Sequence, residues 1–256
     1  MPREQRLVFG EIADQYQRAR PTYPPTLYDA IAELADLRAG DRVLETGAGT
    51  GKATQDFIAR GYEVTAVEPS AEMADVLQSR FPDVPIHRCG FEDWPLEANA
   101  FAVVAAAQSW HWVDVNIGVP KAADALRPNG WLMLFWNRAV LDDCEWHDAV
   151  QPIYERITPH MTHDNLRAKV ENTARDHNLI LFESPRFDEP VVRHLPWSAS
   201  YTTAEYVAIL GTYSDHRILP DAQRAELHGA IADSINERGG AVDHPYVTDL
   251  IAARVC

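Results

Sequence analysis

The sequence predicts an α/β fold built on a parallel sheet, and three observations carry that prediction. Short apolar runs alternate with helix-periodic segments through the first half of the chain. A glycine-rich turn, Gly47-Ala48-Gly49-Thr50-Gly51, lies between a strand-like run and a helical one. The 256 residues are 46% hydrophobic and 24% charged, an ordinary globular composition with enough length for a core that needs no disulfide or metal staple.

Taken in order, the elements are as follows. A helix is expected over 25–37, where Leu27, Ile31, Leu34 and Ala35 form one stripe and Gly40 follows the end. A strand over 42–45 leads through the glycine turn into a helix over 52–60, stopped by Gly61; a second strand covers 63–68. Ser70 is placed to cap a helix over 71–80, and a third strand covers 84–88. Continuous apolar runs at 102–107 and 131–137 read as fully buried strands. Between them lie a helix carrying Lys121, Ala122, Ala125 and Leu126 and the turn Arg127-Pro128-Asn129-Gly130. After Asn137 the rhythm breaks. Residues 139–189 read as mainly helical, with Trp146, Val150, Ile153, Tyr154 and Ile157 at helical spacing. A strand over 191–197, helices over 203–211 and 220–238, and a weakly alternating strand over 246–255 complete the chain. Late helical material is thus expected to cover a site built by the earlier sheet.

Composition narrows the function. The chain carries 23 Lys and Arg against 38 Asp and Glu, a net charge of −15. Such a surface repels phosphate backbones and anionic lipid headgroups, so neither nucleic acid nor membrane is an expected partner. The three cysteines, Cys89, Cys144 and Cys256, are far apart and form no CxxC, which fits a reduced, cytoplasmic protein. The first ten residues lack the apolar run of a signal peptide. The most apolar stretch, 101–113, is broken by Gln108, Ser109 and His111 and is too short to span a bilayer.

The glycine turn is the strongest local signal. Its bland reading is a tight strand-to-helix turn; its functional reading is close approach of a ligand to the backbone. A dinucleotide fingerprint requires a third glycine where Lys52 stands. A phosphate loop requires glycine at Thr46 and a hydroxyl at Ala53, and both fail. Lys52 is therefore expected to be an exposed first-turn residue, set against the helix dipole. Glu45, at the strand tip, repels a pyrophosphate and attracts a cation. Glu68 follows Gly47 by about 20 residues, where an acidic side chain hydrogen-bonds ribose hydroxyls. A ligand with a ribose, positive charge and no phosphate fits both carboxylates, and S-adenosylmethionine (SAM), with its ammonium and sulfonium, is such a ligand.

The stretches LETGAGTGKAT, VTAVEPS, CGFEDWPL, AAAQSWHWVD and ALRPNGWLMLFWN, in that order, resemble the motifs of class I SAM-dependent methyltransferases. The likeness is to the bacterial small-molecule group that includes trans-aconitate-type enzymes, and FGEIADQYQRARPTYPPTLYDAI resembles that group's lid segment. The resemblance implies a Rossmann-like seven-stranded sheet with helices on both faces and a helical cap inserted after the fifth strand. It implies one domain over 1–256: a lid and first helix at 1–40, a SAM-binding core at 41–138, a cap at 139–189 and C-terminal strands and helices at 190–256. Glu45 and the loop Gly47, Ala48, Gly49 and Gly51 would hold the methionine moiety. Glu68 would bind the ribose, with Pro69 and Ser70 shaping the next turn. Phe91 and Glu92 would meet the adenine, and Gln108 with the 109–112 segment would lie under the sulfonium. Tyr16, Arg20 and Tyr23 would close over the cofactor, Arg20 being also suited to a substrate carboxylate. S-adenosylhomocysteine (SAH) is the implied product.

Methyl transfer needs alignment in a dry pocket more than it needs acid–base groups. His111, after the fourth strand at the sheet's carboxyl edge, is the candidate general base; a packed histidine bonded to backbone is the alternative. Trp110 and Trp112 beside it would wall the acceptor cavity or meet the sulfonium by cation–π contact, or serve the core. His216 and Arg217, in the polar cluster 213–217, suit either a substrate role or an interhelical loop. His160, His163 and Asp164 lack a second ligand group and are expected to be surface residues, so no metal is expected. Three functions remain: a methyltransferase acting on a small molecule, a non-catalytic SAM-binding regulator or partner subunit, and a nicotinamide oxidoreductase, against which Lys52 counts.

Overall fold

The computed structural model describes residues 13–140, 145–161 and 184–256. Seven strands form one mixed sheet in the order β3-β2-β1-β4-β5-β7-β6. Strands β1 (Arg42–Thr46), β2 (Glu63–Val67), β3 (Ile86–His87), β4 (Phe101–Ala107) and β5 (Leu126–Ala139) are parallel, whereas β7 (Ala241–Arg254) runs antiparallel to both β5 and β6 (Val191–Thr202). The order reverses between β1 and β4, so the carboxyl ends of those two strands open the crevice where such sheets bind ligands.

Helices cover the two faces. On one, α2 (Pro25–Ala35) and α3 (Lys52–Ala59) bury Leu27, Ile31 and Phe57 against Val43, Val103, Phe135 and Leu250. On the other, α5 (Val115–Ala125) packs Val119 and Ala122 on Val104, Leu132 and Ile251. The helix α4 (Ala71–Arg80) starts on Ser70, whose hydroxyl accepts the Met73 N–H as the sequence predicts. A short helix, α1 (Ala13–Ala19), precedes α2.

Several strands differ from the sequence expectation: β6 runs on past 197 to Thr202, and β7 begins at Ala241 rather than at 246. The third strand shrinks from five residues to Ile86–His87, because only Ala66 and Val67 of β2 offer it partners. The expected turn at 127–130 lies within β5: Leu126 pairs with Phe101 and Trp131 with Val103, so the four residues bulge out between two ladder positions. Asn129 takes φ of 64° there.

Beyond β5 the chain builds a second, smaller core. Helix α6 (Glu145–Ile157) contributes Trp146, Val150 and Ile157, α7 (Thr203–Leu210) contributes Tyr206 and Leu210, and α8 (Asp221–Glu237) contributes Leu227, Ile231 and Ile235. The cover therefore combines the expected insertion with the later helices. Most of the 139–189 stretch, together with Cys144, His163, Asp164 and the first residues of the lid-like segment, lies outside the described residues. Among the described residues no helix is long and apolar enough to cross a membrane.

Candidate cofactor site

A cavity opens at the carboxyl ends of β1 and β4. It is lined by Glu45, Gly47, Ala48, Gly49, Thr50, Lys52 and Ala53 from β1, its loop and α3, by Ala107 and Gln108 from β4, and by Tyr16, Arg20, Pro21 and Tyr23 from the N-terminal segment.

Two of the loop glycines are required by space as well as by angle. Gly47 has φ of 64°, and a Cβ there would stand 2.4 Å from Ser109 Cβ. Gly51 has φ of 83°, and its Cβ would stand 2.3 Å from Leu77 Cδ1 of α4. Gly51 thus seats α3 against α4 and does not line the cavity. The amides of this loop are spent inside the chain. Gly47 and Ala48 donate to the Val67 carbonyl at 2.8 and 3.2 Å, Gly51 donates to Ala48 O at 3.0 Å, and Gly49 donates to Glu68 Oε2 at 2.7 Å. These four N–H groups form no anion cradle, in keeping with a ligand that brings no phosphate to the loop.

Glu45 is fully buried. Its Oε2 accepts the Thr54 hydroxyl at 2.5 Å, while Oε1 has no hydrogen-bond partner. Burial pushes its carboxyl up to about 8, with Glu68 adding to the rise and Thr54 opposing it. An unpartnered buried carboxylate oxygen costs free energy unless a donor arrives, and an ammonium is such a donor. Glu68 is also buried, and its carboxyl is raised by burial against the pull of two backbone amides. Oε1 accepts the Ser70 N–H at 2.8 Å and Oε2 the Gly49 N–H. It ties the loop after β2 to the glycine loop and is not among the cavity-lining residues; each oxygen keeps a further lone pair for a hydroxyl. Pro69 lies in the turn between Glu68 and Ser70.

Gln108 sits at the exit of β4 with φ of 54°, a left-handed conformation uncommon for a residue with a side chain. The Phe135 carbonyl accepts its N–H at 2.9 Å. Tyr23, which lines the same cavity and packs edge-on to Phe135 at 5.0 Å, is raised well above the usual phenol range by burial.

The N-terminal segment closes one side. Thr50 Oγ1 donates to Gln17 Oε1 at 2.6 Å. The Arg20 guanidinium lies 5.4 Å from the Tyr16 ring centre and 4.2 Å from that of Tyr213, and its Nη2 donates to Thr212 O at 3.1 Å. Its Nε is buried without a partner. Arg20 thereby joins α1, the cavity and the cover. Lys52 corrects the sequence expectation: it is half-buried and lines the cavity rather than standing in solvent.

Other expected site residues sit elsewhere. Trp110 is buried in the core under β4, tilted against Phe91 at 5.9 Å. Phe91 is buried there too, stacked on Trp94 at 6.0 Å. Neither ring lines the cavity. Glu92 Oε1 accepts the Asp114 N–H at 2.9 Å, which fixes the start of α5. His111 and Trp112 occupy a single 3-10 turn, Trp110–Trp112, after β4, half-buried and with ring centres 4.7 Å apart. They share the sheet edge with the cavity without lining it. His216 is buried inside the cover: its Nε2 is 3.3 Å from Tyr154 Oη and its Nδ1 3.0 Å from His228 Nε2. Burial, with His228 adding, lowers it to about 4. It sits in a four-residue helix, Ser214–Arg217, rather than a loop, and Arg217 beside it, outside the cavity lining, accepts Arg224 Nη1 on its carbonyl at 3.3 Å. Thr50, Thr54, Ala53, Ala107 and Pro21 were not legible as site residues, because no spacing rule links Thr54 to Glu45 or Pro21 to the loop.

Residues 44–134 match the protein-family model described as a methyltransferase domain. An uncharacterized methyltransferase of Mycobacterium tuberculosis is 42% identical over 135 residues, 53% of this chain and 54% of that protein. An uncharacterized methyltransferase-like protein of Schizosaccharomyces pombe is 29% identical over 222 residues, 86% of this chain and 82% of its own. The match thus spans about half the length of the mycobacterial relative. Among solved structures, a protein described as a type II methyltransferase from Anaeromyxobacter dehalogenans superposes with a TM-score of 0.66 at 22% identity, covering 92% of this chain and 97% of the other. A phosphoethanolamine N-methyltransferase of Haemonchus contortus, solved with SAH, gives 0.52 at 14% identity over 96% of this chain and 57% of its own. The expected Rossmann-like, seven-stranded architecture is therefore the fold this chain has, and its 44–134 segment is similar to methyltransferase domains.

Proposed function

We propose that the protein is a SAM-dependent methyltransferase that moves a methyl group to a small organic molecule. The single observation that carries this reading is Glu45, fully buried in the cavity wall with one carboxylate oxygen unpartnered. The glycine loop, whose amides serve the chain itself, supports a cationic ligand over a pyrophosphate.

The residues present fit SAM. Glu45 would take its ammonium, Gly47, Ala48 and Gly49 would let it lie close to the backbone, and Glu68 would offer spare lone pairs to the ribose hydroxyls. Phe91 and Glu92 would meet the adenine through the backbone of their turn, since their side chains are engaged elsewhere. Gln108, held in its left-handed conformation by the Phe135 carbonyl, would form the cavity wall beneath the sulfonium. Tyr16, Arg20 and Tyr23 would close the opening and exclude water. When bound, SAM supplies a methyl carbon already activated by its sulfonium, so an in-line displacement needs only a placed nucleophile. His111 would accept the acceptor's proton where the nucleophile arrives protonated. Trp112 beside it would contribute to the acceptor's surroundings. Trp110, in the core, would support that turn from below.

A small acceptor is supported by the net charge of −15, which disfavours polyanions, and by the helical cover packed beyond β5. The likeness to trans-aconitate-type enzymes points the same way. In domain terms we read a single unit over 1–256, in which the 139–189 insertion shares its core with the later helices. The test is SAH formation from SAM by the full chain, followed against a panel of carboxylate, hydroxyl and amine metabolites. Acceptor-dependent SAH release supports the enzyme; tight SAM binding with no release against any acceptor would favour a SAM-binding regulator.

A further inference from the structure

We infer that Asn137, at the carboxyl end of β5, is a positioning residue: its side-chain amide, oriented by Thr248, holds the Thr22–Tyr23 stretch of the cavity wall in register with Gln108. This goes beyond the SAM reading and rests on it.

A line of three hydrogen bonds crosses the sheet on the face that carries Phe135 and Leu250. Trp197 Nε1 of β6 donates to Thr248 Oγ1 of β7 at 2.9 Å, and Thr248 donates to Asn137 Oδ1 of β5 at 2.6 Å. Asn137 Nδ2 then donates to Thr22 O of the N-terminal segment at 3.0 Å. Both ends fix the direction of the line, because an indole N–H only donates and a carbonyl only accepts. Thr248 therefore gives its one proton to Asn137, whose amide turns its oxygen to Thr248 and its nitrogen to Thr22. Thr248 is fully buried, with Leu250 and Ala252 on the same face of β7. A hydroxyl in such a place costs free energy unless its bonds are made, and here it both accepts and donates.

The line ends where the cavity begins. Tyr23, next to Thr22, lines the cavity and packs on Phe135. The Phe135 carbonyl also accepts the N–H of Gln108, which lines the same cavity. Phe135 and Asn137, two apart on one strand, thus index two pieces of wall, the exit of β4 and the N-terminal segment. Other links of that segment run elsewhere: Gln17 meets Thr50 of the glycine loop and Arg20 meets Thr212 of the cover. The Asn137 bond ties it to the sheet. A wall already held in place is one that a ligand does not have to order, so loss of this bond weakens binding without removing a ligand contact.

The test is calorimetric titration of the full chain with SAH, paired with urea unfolding, for wild type, Asn137→Ala, Thr248→Val, Thr248→Ser and Ile231→Val. Asn137→Ala removes the bond to Thr22. Thr248→Val keeps the shape and removes the donor that orients the amide. Each is expected to bind SAH about fivefold more weakly, the worth of one neutral hydrogen bond. Thr248→Ser keeps the hydroxyl and is expected to bind within about twofold of wild type. Ile231→Val, in the core of the cover on α8, is expected to lower the urea midpoint and keep SAH affinity within about twofold, so that affinity follows the Asn137–Thr22 bond and not stability. Wild-type affinity in Asn137→Ala or Thr248→Val overturns the inference. So does an equal loss in Thr248→Ser and Thr248→Val, or a loss that tracks the urea midpoint through all the variants, as a purely structural role requires. Failure of wild type to bind SAH overturns the SAM reading and the inference with it, and is seen in the first titration, before any variant is compared.

Discussion

Replacing Glu45 by Gln separates the ligand role of that side chain from its role in the fold. At neutral pH the carboxyl, pushed up to about 8, is mainly protonated in the ligand-free protein, and Gln has nearly the same shape. In the unfolded chain the same group ionises near its ordinary value of about 4.3. The native state therefore holds a proton that the unfolded state has lost, from about pH 4.3 up to about 8. The stabilisation is complete below the lower value and is lost as pH rises through the window. Its slope is about 1.4 kcal/mol per pH unit and halves at the native value, so about 2 kcal/mol disappears between pH 6 and 8. Glu45→Gln removes that slope. Urea unfolding of both proteins at pH 6, 7 and 8 should show wild type weakening relative to the variant by about that amount. The variant should also bind SAH about tenfold or more weakly, because it exchanges a charged partner of the ammonium for a neutral one. Parallel pH dependences, or SAH affinity within about twofold, would refute the assignment of Glu45 as a buried, proton-holding ligand for a cation.

Other consequences follow from the same geometry. Gly47→Ala should destabilise by about 2 kcal/mol or more in urea titration, since its Cβ meets Ser109 at 2.4 Å and its φ is 64°. His216 is lowered to about 4 and His244 to about 3, mainly by burial. Each is neutral in the folded cover, so stability should be full above about pH 6.5 and fall as pH drops towards 4, by up to about 3 kcal/mol for His216; tryptophan fluorescence against pH checks this, and the loss should shrink in His216→Asn. His111→Gln should leave SAH binding within about twofold while lowering methyl turnover by about a hundredfold for an acceptor that must lose a proton.

The sheet was legible because its strands are buried on both faces and read as unbroken apolar runs bounded by turns, as at 101–107 and 131–137. The glycine loop was legible because Gly47 and Gly51 stand where the backbone needs both a positive φ and no Cβ. What failed was non-local. Nothing in Ile86–His87 says that β2 offers the third strand two partners and not five. No spacing places Thr54 on Glu45, or Arg20 between Tyr16 and Tyr213. Composition marks Lys52 as a surface residue, whereas it lines a cavity together with Tyr16 and Arg20 of the N-terminal segment. The aromatic triplet 110–112 has the right chemistry for a pocket, yet its 3-10 turn sends Trp110 into the core. The cover was read as one insertion because α6 shows its stripe locally, whereas its partners in α7 and α8 lie more than forty residues further on.

Calorimetric titration of the full chain with SAM, SAH, NAD and ATP, repeated on Glu68→Ala, tests the central claim most directly. The account predicts micromolar binding of SAM and SAH alone, weakened by the substitution, because Glu68 positions the glycine loop and, in the proposed role, would take the ribose hydroxyls. Binding of NAD or ATP in their place, or SAM affinity untouched by Glu68→Ala, would contradict it.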